Sequence, residues 1–213
     1  MKFAMSYSGG KESALALHKF TGQGNTPVAL ITTYNQDTDR SLFHGLSSNV
    51  LKRVSQSLSI PLILTNTTAE NYNKDFEIAL KRAKETGAVA CVFGDIDIEG
   101  HREWATQRCD NVGIKAIFPL WDMPRQNVVY ELVDSGFVAS LTVVNTKFLD
   151  EKFLGKQLTK ELAKKIVATG ADICGENGEY HTFVSNSPMF AYPVDFVWGK
   201  RHYKDGYAML EVI

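Results

Sequence analysis

The chain has 213 residues, 44% hydrophobic and 22% charged, with a formal net charge of -1. That length suffices for a buried core without disulfide or metal staples. The near-neutral balance gives no electrostatic case for a nucleic-acid binder, whose affinity rests on clustered Lys and Arg releasing counterions.

In chain order, 2–7 reads as a short apolar strand and 13–20 as a helix with Leu15 and Leu17 inside. "PVALITTY" at 27–34 is a second buried strand, followed by a helix over 45–57 and a strand "PLILT" at 61–65. "NKDFEIALKRAKETG" spaces Phe76, Leu80 and Ala83 as a helix that stops at Gly87. "AVACVFGD" at 88–95 is a continuous apolar run, as expected of a strand covered on both faces. A helix at 100–112 and a strand at 115–121 complete the alternation. Strands alternating with helices predict an α/β fold, a doubly wound parallel five-stranded sheet.

After Trp121 the rhythm changes. A helix at 125–135, a strand "FVASLTVV" and a helix at 159–169 precede a tail, 172–213, rich in Gly, aromatics and short β-like runs. This predicts a smaller C-terminal α+β domain, 123–213, after a first domain of 1–122. Cys91, Cys109 and Cys174 form no C-x-x-C pair, which argues against zinc and a disulfide framework and for reduced thiols. The Gly-Gly-Lys-Glu loop interrupts any apolar signal segment, and no apolar run has the length of a membrane span. A soluble cytoplasmic protein is expected.

Three stretches carry candidate chemistry. "YSGGKES", 7–13, joins the first strand to the first helix. Ser8, Gly9, Gly10, Lys11 and Ser13 there offer backbone N–H groups, hydroxyls and a full positive charge at a helix N-terminus, which suits phosphate. The spacing is not that of the Walker A loop. "FGDID", 93–97, ends the fourth strand. If the strand order is 3-2-1-4-5, Gly94 and Asp95 face the same crevice as the first loop. Asp95 is then a candidate Mg²⁺ ligand, or else a cap or turn residue. "CGENGEYHTF", 174–183, offers Glu176, Glu179 and His181 as proton acceptors, or else a hairpin with a solvated acidic turn. Arg102 and Arg108, on a helix with His101, are candidates for phosphate contact or else a solvated helix face. His18 and His44 have weak claims.

"SGGKES" resembles the S-G-G-x-D-S loop of the PP-loop (N-type) ATP pyrophosphatases, of adenine nucleotide alpha hydrolase-like fold. With "GD" after the fourth strand, "FPLW" at 118–121, "LGKQL" at 154–158 and "CGENGEYHTF", nearly the whole chain resembles the diphthine–ammonia ligase (diphthamide synthase) family. The resemblance implies an ATP-dependent ligase that adenylates a carboxylate, releases pyrophosphate and transfers ammonia. Its implied partners are ATP, ammonia, Mg²⁺ and a carboxylate acceptor, which is elongation factor 2 in an organism that makes diphthamide. It also implies ATP-binding roles for Ser8, Gly9, Gly10, Lys11, Glu12, Ser13, Gly94 and Asp95, and catalytic roles for Lys11, Glu176 and Glu179. Glu12 stands where the superfamily usually has Asp, which moves the carboxylate by about 1.5 Å. His181 stands where eukaryotic members tend to carry glutamate. A nucleotide-binding regulator without turnover, a PP-loop enzyme with another small-molecule or RNA acceptor, and sulfur transfer are the alternatives. No nucleic-acid or membrane partner is expected, and Trp198 and Tyr203 are candidates for a homodimer contact.

Overall fold

Apolar strands β1 (Lys2–Ser6), β2 (Thr26–Asn35), β4 (Leu62–Asn66), β5 (Ala90–Val92) and β6 (Lys115–Ile117) form the centre of the first half, with a two-residue strand β3 (Arg40–Ser41) between β2 and β4. The computed structural model describes residues 1–42 and 44–213. The parallel strands lie in the order β4-β2-β1-β5-β6, and β3 pairs antiparallel with the far end of β2. Counting parallel strands alone, this is the expected 3-2-1-4-5, with its reversal between β1 and β5. Both faces are covered by helices. Phe3, Met5 and Val92 share a core with Leu15 and Leu17 of α1 (Lys11–Gly22) and Val50 and Val54 of α2 (Ser48–Leu58). Ala4, Ile31 and Cys91 pack against α3 (Tyr72–Glu85) and α4 (Glu99–Val112).

Element ends follow local chemistry. α2 begins three residues later than the helix expected at 45–57, because Gly45 is left-handed at φ 65° and the Ser47 side chain caps Val50 N–H. β6 is shorter than the strand expected over 115–121. Pro119 has no N–H to give a ladder, and Trp121 N–H instead donates to Phe118 O at 3.2 Å, closing a turn. β5 likewise occupies only the middle of 88–95.

The second half comprises α5 (Arg125–Asp134), β7 (Val138–Asn145), α6 (Lys160–Val167), β8 (Tyr180–Asn186), β9 (Trp198–Lys204) and β10 (Tyr207–Val212). Its strands make an antiparallel sheet in the order β8-β7-β10-β9. "LGKQL" runs beside β7, with Gly155 N–H donating to Leu141 O at 2.8 Å and Leu158 N–H to Ala139 O at 2.7 Å. The two halves share one core, in which Leu132, Val144, Phe183 and Val212 join the cluster containing Phe3 and Leu15. Among the described residues, no helix is long and apolar enough to cross a membrane.

Candidate active site

β1 ends under the loop of residues 7–13, and the second sheet completes that loop from above. Val184 N–H of β8 donates to Gly9 O at 2.9 Å, and Lys11 N–H donates to Thr182 Oγ1 at 3.1 Å. Within the loop, Ser8 Oγ lies 3.2 Å from Ser13 Oγ and accepts from Gly10 N–H at 3.3 Å. Two glycines are required by close approach. A Cβ on Gly10 would lie 2.3 Å from His44 Cε1, and one on Gly94 would lie 2.8 Å from the backbone of Glu12 and Ser13. Gly94 therefore lets the end of β5 touch the loop itself.

The Lys11 side chain is 3% exposed, ion-paired with Glu12, and its Nζ sits 4.6 Å from the centroid of the Tyr180 ring. Burial opposes its charge, yet Glu12, Tyr180, Cys174 and Glu176 together hold its pKa above the ordinary lysine value. A full positive charge thus lies under the loop at every physiological pH.

One cleft of about 520 Å³ is lined by all three candidate stretches: Ser8, Lys11, Glu12 and Ser13; Gly94 and Asp95; and Gly175, Glu176 and His181. Its volume is that of a site for a single nucleotide-sized ligand. Burial raises the Glu176 pKa to about 7; the charges of Glu12 and Asp172 raise it too, while Lys11 and Arg125 oppose the rise. This carboxyl can accept or release a proton near neutrality, the condition for acid–base work.

Glu179 stands differently. It is 3% exposed, and its carboxylate accepts from Asp172 N–H at 3.1 Å, Asn177 N–H at 3.0 Å and Asn177 Nδ2 at 3.1 Å. Burial raises its pKa, but these hydrogen bonds outweigh burial and leave it below the ordinary value. Glu179 is not among the residues lining the cleft; it holds the 172–179 loop closed.

Asp95 Oδ1 lies 3.2 Å from His101 Nδ1 and lines the cleft. It makes no cap to α4, whose N-cap is Ile98. Among the described residues no group of three or more His, Cys, Asp or Glu is arranged around a metal. A nucleotide-bound Mg²⁺ needs only one or two carboxylates beside the phosphates, and Asp95 fits that donor set. On α4 His101 lines the cleft, whereas neither candidate arginine is among its lining residues. Arg102 stacks 4.7 Å from the Trp121 ring, and Arg108 faces Glu77 of α3 at 3.3 Å.

The residues in and beside the cleft that carry little or no sequence signal are His44, Tyr72, Trp104, Arg125 and Asp172. His44 Nδ1 donates to Thr182 O at 2.8 Å, and its ring centroid is 5.0 Å from that of His181. Burial drives both imidazoles down, His44 to about 4 and His181 to about 3, so both are neutral at pH 7. Tyr72 and Trp104 stack at 5.4 Å along another wall. Arg125 makes a two-pronged bond to Asp97, at 2.7 and 2.8 Å, and reaches Asp172 at 3.2 Å. Asp172 Oδ2 in turn accepts from the N–H groups of Cys174 and Glu176, at 3.1 and 2.9 Å.

Residues 1–116 match the diphthamide synthase N-terminal domain, and residues 124–212 match the diphthamide synthase C-terminal domain. The chain belongs to the diphthamide synthase family. It is similar to the diphthine–ammonia ligase of Schizosaccharomyces pombe, 24% identical over 89% of this chain and 35% of that protein. Against the diphthine–ammonia ligases of Rattus norvegicus and Homo sapiens the identities are 25% and 26%, over 89% of this chain and 80% of each relative. The chain thus spans about a third of the fission-yeast relative and most of the mammalian ones. Among solved structures, a predicted subunit of a tRNA methyltransferase from Methanocaldococcus jannaschii aligns with TM-score 0.48 and 16% identity, covering 88% of this chain and 98% of that one. Family membership places this diphthamide synthase homologue among ATP-dependent amide-forming ligases.

Proposed function

We propose that the chain adenylates a carboxylate with ATP and passes the acyl group to ammonia, with AMP and pyrophosphate as co-products. The observation that carries this reading is one cleft holding both a buried lysine under a phosphate-type loop and a carboxyl that titrates near 7. A carboxylate oxygen attacks the α-phosphorus, and the bond to the bridging oxygen of pyrophosphate breaks. Lys11, Ser8, Ser13 and the N–H groups at the start of α1 hold the departing pyrophosphate, a role of charge stabilisation and positioning. Ammonia then attacks the acyl carbon, AMP leaves with the C–O bonding pair, and Glu176 takes the proton from nitrogen. Glu179 acts by holding the Glu176 loop. Mg²⁺ neutralises phosphate charge when bound, and Asp95 is the residue that would hold it. The free thiols of Cys91, Cys109 and Cys174 accord with a cytoplasmic setting.

Diphthine, the acceptor in the relatives' name, is the first acceptor to try, on elongation factor 2 where the organism makes it. The test incubates protein, ATP, Mg²⁺ and ammonium with diphthine and other carboxylates and separates AMP from ADP. AMP and pyrophosphate in equal amounts are expected; ADP as the product would refute the reading.

A further inference from the structure

Among the described residues, a second cleft, of about 730 Å³, shares two lining residues with the nucleotide cleft, His44 and His181. The two rings are therefore the boundary between the cavities. Val143 of β7 and Met209 of β10 form part of its floor, Leu42 beside β3 part of its rim, and Lys204 stands at its mouth. None of the residues assigned to the nucleotide phosphates, Ser8, Lys11, Ser13 and Asp95, lines this space.

We infer that this second cleft binds the acceptor, a carboxylic acid with an apolar body, and directs its carboxylate past the His44–His181 pair toward the nucleotide. The inference rests on the ligase reading above. ATP and the acceptor must meet at the α-phosphorus, and a 520 Å³ cleft is filled by one nucleotide-sized molecule. The acceptor needs room of its own next to the same point, and the shared His44 and His181 place the second cleft directly beside the nucleotide cleft. The apolar floor matches an apolar body. Arg40 and His202 on the rim both pair with Glu211, at 2.8 Å each, so they add no strong positive field that would favour a second polyphosphate. The boundary itself suits a carboxylate passing through. Neutral imidazoles do not trap the anion as a salt bridge, which would lower its nucleophilicity; His44 spends its single N–H on Thr182 O, so His181 is the ring of the pair that can donate to the carboxylate.

The test labels methionine methyl groups with carbon-13 and follows Met209, assigned by Met209→Leu, with Met5 as a buried control. Hexanoate and phenylacetate are the probes, added with and without saturating α,β-methylene-ATP. At least one acid should move the Met209 signal, and the nucleotide analogue should leave that shift in place. Leu42→Trp, a change at a partly exposed rim residue, should weaken the acid by at least about tenfold, as a misfitted apolar pocket does, while analogue binding is retained. If neither acid moves Met209, or if the analogue abolishes the shift, the second cleft is not the acceptor site. Analogue binding with a silent Met209 removes this inference and leaves the ATP reading standing. A Met209 response in a protein that binds no nucleotide removes both.

Discussion

At the scale of single residues, Lys11 and Glu176 divide the work. Lys11 is held charged in a buried position by its neighbours, so Lys11→Ala should cost about 10²–10³-fold in AMP formation, the usual loss when a transition-state charge partner is removed. Glu176 sets the pH dependence. As the proton acceptor it must be ionised, so turnover should fall as pH drops below about 7, and Glu176→Gln should both lose that acid limb and slow the reaction by about 10²–10⁴-fold. The same shift has a consequence for stability. The folded pKa is raised from 4.5 to about 7, so the native state binds more protons than the unfolded state in between, and the chain loses stability as pH rises through that window. Melting temperatures of wild type and Glu176→Gln should coincide near pH 4.5, with the Gln variant higher at pH 8. Equal melting at both pH values would mean that Glu176 is not shifted.

At the scale of elements, the cleft depends on how three loops are pinned to one another. Gly94 is where β5 meets the loop, and Gly94→Ala pushes a Cβ to 2.8 Å from backbone that cannot rotate away. A cost of about 1–3 kcal/mol is expected, with weakened ATP binding measured by calorimetry. Arg125, at the start of α5, ties Asp97 beyond β5 to Asp172, which holds the backbone of Glu176. Arg125→Ala should raise hydrogen exchange over residues 174–179 and slow AMP formation by up to about 10²-fold through misplacement of Glu176. Removing that positive charge also lifts the acid limb to higher pH, whereas Asp172→Asn should lower it, because Arg125 depresses and Asp172 raises the Glu176 pKa. Unchanged exchange and an unmoved limb in both variants would remove the bridge from the account.

These pins also mark what the sequence could and could not disclose. The strand order and the loop were legible because apolar runs alternating with amphipathic ones admit few topologies, and because glycine, lysine and serine after a buried strand carry local chemistry. Glu176 and Glu179 look alike in sequence, two carboxylates in one short loop. Only the fold-back of Asp172 and Asn177 onto Glu179 separates a cleft acid from a loop clamp. His44 was illegible for a related reason: its partner is the carbonyl of Thr182, 138 residues away, and nothing local to either residue announces the contact.

At the scale of the whole molecule, the question is whether the two matched domains are two folding units. The phosphate loop argues that they are not. Gly9 O and Lys11 N–H are both satisfied by β8, and the core that packs β1 and α1 continues without a break into β7, β8 and β10. Cut at Asp122, the first half would leave these backbone groups without their partners and expose one side of Leu15, Leu17 and Phe20 to water. Asp122 itself, left-handed at φ 59°, donates its N–H to Ile96 O at 2.8 Å, so even the junction is anchored against the first sheet. Residues 1–122 alone should therefore bind a hydrophobic dye and lack sharp tertiary signals, as a collapsed chain with incomplete packing does. They should also fail to bind ATP, and mixing with residues 123–213 should restore both packing and binding. If the fragment alone bound ATP as tightly as the full chain, the second sheet would be an acceptor platform only, and the loop would owe it nothing.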